Sequence, residues 1–210
     1  MSFFEPPPPP PEPERQHRQP EWLGPPENVV PVTFPLALTL VRTGAVAVVA
    51  HAGLAYPNGF SFRLQLLRRT AVEGHGGDPF HQWHLGARTG EIPPEAFRFG
   101  VQLADGGKAT VFDGHRRFAQ QDRPEGPVLM QRGGGGGMRS WDFAFWVWPL
   151  PPAGPLAFVC EWPSEGVELT RHEIDTAPIR EAAATVETLW PDDEGPSGFG
   201  GGTVLARRVC

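Results

Sequence analysis

The stretch RSWDFAFWVWPLPPAGPLAFVCEWP, Arg139 to Pro163, decides the fold. It holds four of the seven tryptophans and one of the two cysteines. In its first half Trp141, Phe143, Phe145 and Val147 share one parity, and Asp142, Ala144, Trp146 and Trp148 share the other. Strand side chains alternate between faces, so the odd set makes one continuous apolar surface. The second half repeats the device with Leu156, Phe158, Cys160 and Trp162. Between them PLPPAGP cannot continue a helix, because proline lacks the N–H and its ring crowds the preceding turn. The two halves read as the central antiparallel pair of a β-sandwich or flattened barrel. The fold class is all-β, mainly antiparallel.

Working outward, the same period recurs. Leu36, Leu38 and Leu40 alternate with Ala37, Thr39 and Val41, and an apolar run of small residues follows from Ala45 to Ala55. Tyr56-Pro57-Asn58-Gly59 is a turn signal, since Asn and Gly tolerate positive φ. Phe60, Phe62, Leu64 and Leu66 then face away from Ser61, Arg63 and Gln65, the pattern of a half-buried antiparallel strand. These segments form a meander. Phe97, Phe99, Val101 and Leu103 make a further strand, and Asp105-Gly106-Gly107 turns it into Lys108–Phe112. Pro127 to Arg132 reads as a short strand, and Gly133 to Gly137 as a flexible loop between strands. Residues 70–95 read as loop. Val167 to Ile174 reads as a strand with Val167, Leu169 and Arg171 on one side.

One helix is expected at about 177–190. Asp175 or Thr176 caps it, Pro178 falls in its first turn, and Pro191 ends it. Its apolar face would carry Ile179, Ala182, Ala183, Val186, Leu189 and Trp190. The domain is therefore placed at residues 29–190, with eight to ten strands in two sheets. Residues 1–28 form a proline-rich leader and 191–210 an acidic, glycine-rich tail; both are expected to be disordered. Trp22 and Leu23 are an apolar pair in that leader, and the pair is expected to fold back onto the domain.

Composition narrows the function classes. The formal charge is −6, with Lys108 the only lysine, which argues against a nucleic-acid footprint or a polybasic membrane contact. The 26 glycines and 26 prolines call for many turns or unstructured tails. Cys160 and Cys210 are too few for a secreted disulfide framework, and MSFFEPPPPPP lacks the basic and apolar regions of a signal peptide. A cytoplasmic protein is expected. The leader carries Pro6 to Pro11 unbroken and five acids (Glu5, Glu12, Glu14, Glu21, Glu27), the composition of a solvated polyproline spacer or a docking arm for a protein partner. Edge strands leave a homo-oligomer open.

Three candidate sites follow from residue types. His75, His81 and His84, with Glu73 and Asp78 nearby, supply imidazole and carboxylate of the kind that binds zinc in a metal-dependent hydrolase; the spacing lacks HExxH or a paired CxxC. Trp146 and Trp148 share a face opposite the odd-numbered set. Under a cover such as the C-terminal helix they are core; uncovered, they form an aromatic platform for a sugar ring or a peptide. The glycine run between Arg132 and Arg139 has a nest-like composition but no Gly-Lys-Ser/Thr phosphate motif. No serine lies in GxSxG, and Cys160 in an apolar strand reads as an inert core thiol, so no catalytic residue is assigned.

The leader PPPPPPEPE, the turn AYPNGF, and WDFAFWVWPLPPAGPL followed by CEWP resemble an uncharacterised protein family of high-GC Gram-positive bacteria. The resemblance spans most of the chain and implies an intracellular bacterial protein. It carries over no activity and no site residue. The reading favoured by an aromatic core without convergent catalytic motifs is a β-sandwich binding or assembly module that mediates protein–protein interaction. The alternatives are the zinc-dependent hydrolase at the histidines and carbohydrate binding through Trp146 and Trp148.

Overall fold

The meander forms where its turns are written. Strand β2 (Val32–Arg42) runs through Thr43 and Gly44 into β3 (Val46–Tyr56), and Pro57-Asn58 turns that strand into β4 (Gly59–Arg68). Tyr56 and Gly59 are direct partners across the second turn. The computed structural model describes residues 19–71, 79–89, 91–113 and 123–190. Among these lie two helices, α1 (Pro79–Thr89) and α2 (Ala177–Ala184), and eight further strands. They are β1 (Val29–Val30), β5 (Arg98–Gln102), β6 (Lys108–Thr110), β7 (Val128–Gly136), β8 (Ser140–Trp148), β9 (Pro155–Trp162), β10 (Val167–Asp175) and β11 (Glu187–Thr188).

The strands build an antiparallel sandwich. A five-stranded sheet has the order β2-β3-β4-β8-β7, a four-stranded sheet has β10-β9-β5-β6, and β1 with β11 makes a two-stranded ribbon. Inward residues of both large sheets meet in one aromatic core. Phe62 on β4 lies edge-on to Phe158 on β9 at 5.3 Å between ring centroids and stacks on Phe145 at 5.6 Å. The lateral edges also approach, β10 against β2 and β6 against β7. At the first of these, His172 Nε2 donates to the Leu40 carbonyl at 2.8 Å.

The aromatic stretch is divided between the sheets. β8 pairs with β4 and β7, whereas β9 pairs with β5 and β10, so the two halves face each other across the core instead of pairing. The connector 149–154 is thus a crossover between layers, beginning at a cis Trp148–Pro149 bond. Both arrangements bury Phe143, Phe145 and Phe158 equally well, so alternation alone does not separate them.

Of the five register irregularities in the sheets among the described residues, three concern which residues face the core. At Ala52, where φ is +54°, β3 slips, so Val46, Val48 and Ala50 point inward before the bulge and Ala55 after it. Gly53 sits there because a Cβ would fall 2.5 Å from the Phe34 ring. A second irregularity lies between Thr39 and Val41. The third lies between Val167 and Thr170, so Val167 turns inward while Leu169, Arg171 and Glu173 face out.

Three expectations are corrected. Residues 79–89 are helix, held by the buried ring of Trp83, and not loop. Gly133 to Gly136 are strand, paired with Ala144, Phe143, Asp142 and Trp141. Glycine is needed at Gly134 and Gly136, where a Cβ would press within 2.7 Å of the neighbouring strand. The last helix stops at Ala184, four residues short of β11's end, because Glu187 and Thr188 turn back to pair with Val30 and Val29. Of its expected apolar face only Ile179 and Ala183 are buried, in the main core beside β2 and β3. Leu189 and Trp190 are exposed.

The covered tryptophans and a candidate ligand face

Trp146 and Trp148 are 0% and 4% exposed, so they form no open platform. Their cover is not the C-terminal helix. Trp22 and Leu23, upstream of β1, lie on the outer face of the five-stranded sheet with Tyr56, Val128 and Met130. Trp22 meets Trp148 edge-on at 6.2 Å, and Tyr56 meets Trp146 edge-on at 5.4 Å. Trp146 Nε1–H donates to the Glu21 carbonyl at 3.2 Å, and Arg132 donates to the Leu23 carbonyl at 2.8 Å. The packed unit therefore begins before Val29, and carbohydrate binding by exposed Trp146 and Trp148 has no surface here.

The histidine set is divided by its surroundings. His81 is exposed on α1, His75 lies outside the described residues, and only the backbone of His84 lies within them. No group of three metal-type side chains converges among the described residues. His51 is a different histidine, on the open part of the five-stranded sheet. Its Nε2 is 4.0 Å from Asp142, whose carboxylate already accepts from Arg63 Nε at 2.6 Å. An arginine at that distance occupies the carboxylate and disfavours a cation beside it.

Cys160 is buried, and its Sγ contacts the Thr170 hydroxyl at 3.1 Å. Burial pushes its thiol up, partly offset by Thr170, and the Glu161 carboxylate raises it further. Burial likewise raises the Tyr56 phenol. Both groups are therefore harder to ionise folded than unfolded, and stability contributed by their neutral forms is present below the unfolded pKa and lost as pH rises through the folded one. In a Cys210→Ser background the urea midpoint should hold from pH 7 to 8 and fall above about 9, near the free thiol range. Cys160→Ala should flatten the first part of that fall. An unchanged slope would contradict the assignment.

A large depression lies elsewhere, on the outer side of β10-β9-β5-β6. It is a groove of about 450 Å³. Pairing sets its floor: Arg171 opposes Val159, Val159 opposes Gly100, and Gly100 opposes Thr110, so a row crosses all four strands. Gly100 keeps the centre low, since a Cβ there would sit 2.8 Å from the Ala109 carbonyl. Leu169, 67% exposed, and Ile92, 44% exposed, supply apolar surface at the margins. Such exposed aliphatic side chains beside a depression are a mark of an interaction surface.

The rim is charged. Arg98 pairs with Glu161 at 2.5 Å, and Arg171 reaches over β9 to Gln102 Oε1 at 2.7 Å while also pairing with Glu173. Three cations line the groove (Arg98, Lys108 and Arg171) against one carboxylate, Glu161. The surplus is positive on a chain of net charge −6. The face suits an apolar group attached to an anion. Sequence reading missed it because its members are outward residues from four separate strands; the only local signal was Leu169, an aliphatic residue among charged neighbours.

Compared with known proteins, the chain matches no family model, no curated protein and no solved structure. No helix among the described residues is long and apolar enough to cross a membrane.

Proposed function

We propose that the protein is a β-sandwich binding module whose groove on the four-stranded sheet takes a segment of a partner protein. That segment carries a carboxylate beside a large apolar side chain. The observation that carries this reading is the groove itself: a low floor at Val159 and Gly100, walled by Leu169, under a cationic rim. Its volume accommodates one or two large side chains, within the range of small recognition pockets. The rim arginines sit in ion pairs that are partly open to solvent, and such pairs contribute little by themselves, so an incoming carboxylate can share them at small cost.

The test uses fluorescein-labelled peptides with the same apolar residues and either acidic or basic flanks, followed by polarisation at low salt. The acidic set should bind at least about tenfold more tightly, a difference of about 1.4 kcal/mol. Leu169→Asp, which puts a like charge on the groove wall at an exposed position, should remove that binding without moving the urea midpoint. Equal binding of both sets, or full binding by L169D, would overturn the proposal.

A further inference from the structure

The covering of Trp146 and Trp148 has features of a filled recognition site and not of an ordinary core. The occupant is a short segment, Gln19 to Glu27, that contributes no strand to the sheet it covers. Its two apolar side chains, Trp22 and Leu23, enter an aromatic surface made by Tyr56 of β3, Val128 and Met130 of β7 and Trp146 and Trp148 of β8, with Val29 of β1 beside them. Specific polar contacts fix its backbone: the Glu21 carbonyl accepts from Trp146, and the Leu23 carbonyl accepts from Arg132. At the rim Arg123 lies over Trp148, 5.0 Å from the ring centroid, and ion-pairs with Glu21 at 3.4 Å. An aromatic-lined surface that hydrogen-bonds the backbone of a proline-flanked segment is the arrangement by which grooves bind linear motifs.

The attachment is also slight. Downstream of Gly24-Pro25-Pro26 the segment is tied by Asn28, whose carbonyl accepts from the Leu189 N–H at 2.8 Å, and by β1, whose ladder to β11 is two residues long. The Trp22 indole N–H, although buried, finds no acceptor among the described residues. Short ladders and unpaired donors belong to the elements that open first in local unfolding.

We propose that the outer face of β7-β8 is a recognition site for a proline-flanked Trp-Leu segment, that residues 19–27 are its built-in occupant, and that the same segment of a second copy enters when this strap lifts. The site differs from the groove on the opposite sheet, and neither depends on the other. In cis the strap acts at an effective concentration on the order of millimolar, so a free segment at micromolar concentration does not displace it.

The experiment uses the full chain carrying Trp22→Ser and Leu23→Ser, which empties the site without touching either large sheet. The probe is a labelled peptide of residues 19–27, QPEWLGPPE, standing for the strap of a second copy. Saturable binding to the double variant, at least about tenfold tighter than to the wild type whose own strap fills the site, is the expected result. A peptide with Ala in place of its Trp should not bind. No binding by the double variant, or equal binding by both proteins, overturns the proposal. A second measurement needs no variant. The Trp146 indole proton, bonded to the strap, should exchange with solvent at least about tenfold faster than the Trp83 indole proton, which donates to the Phe97 carbonyl inside the main core. Equal exchange rates would show that the strap does not open separately, and would also overturn it.

Discussion

Replacing Trp83 with alanine should cost the protein about 3–5 kcal/mol of folding stability, the loss typical of a large aromatic deleted from a packed core. The ring is the anchor of α1. It lies 4.8 Å from Phe143 and about equally far, near 6 Å, from Phe97 and Phe145. Its Nε1–H donates to the Phe97 carbonyl at 2.7 Å. Alanine removes the ring contacts, leaves a cavity between helix and sheets, and strands the carbonyl. Phenylalanine at the same position keeps most of the ring contacts and loses the hydrogen bond, so W83F should lose about 1 kcal/mol more than a neutral swap. Urea denaturation of both variants measures the difference. A loss below about 1 kcal/mol for W83A would mean that the helix does not pack as described.

The second large effect concerns Arg68, which is 7% exposed at the end of β4. Its guanidinium lies between the rings of Trp141 on β8 and Trp162 on β9, 5.1 and 4.9 Å from their centroids. Glu165, in the 3-10 turn after β9, pairs with it at 2.6 Å. One cation thus ties the two sheets together at one end of the sandwich. Glu165→Gln removes the countercharge and leaves the guanidinium buried, which should cost about 3 kcal/mol, the low end for such a loss because Glu165 keeps some solvent contact. Replacing both groups by Arg68→Met with Glu165→Gln should recover most of that stability, since a methionine stem fills the space between two rings without needing a charge. Additive losses in the double-variant cycle would contradict a coupled pair.

Much of this architecture is legible in the sequence, and the part that is not has physical reasons. Alternation is a local signal, so β4, β5, β8 and β9 could be read residue by residue. Sheet membership is not local. A proline-glycine connector such as 149–155 serves a hairpin and a crossover equally, and either burial satisfies Phe143 and Phe158. Helix α1 went unread because its apolar positions at helical spacing, Phe80, Trp83 and Ala87, are few and lie among glycine, histidine and proline, the composition of a loop. The glycine run in β7 was unreadable for the opposite reason: pairing needs only backbone, and the missing Cβ atoms are what let Phe143 and Trp141 approach. Bulges are equally silent in sequence, and the one before Thr170 decides that Leu169 faces the groove. The strap left one trace, an apolar Trp22-Leu23 pair in a polar leader; what it covers depends on contacts more than a hundred residues away.

The proposed engagement of a partner segment by the outer face of the four-stranded sheet makes a residue-level prediction. The most direct measurement is an amide chemical-shift map of the full chain titrated with the tightest acidic peptide. Saturable shifts should centre on Arg98 to Gln102 of β5, Ala157 to Glu161 of β9 and Leu169 to Arg171 of β10, leaving Ala47, Val49 and Gln65 on the opposite sheet unmoved. Shifts confined to that opposite sheet, or none in β5, β9 and β10 at saturation, would contradict it.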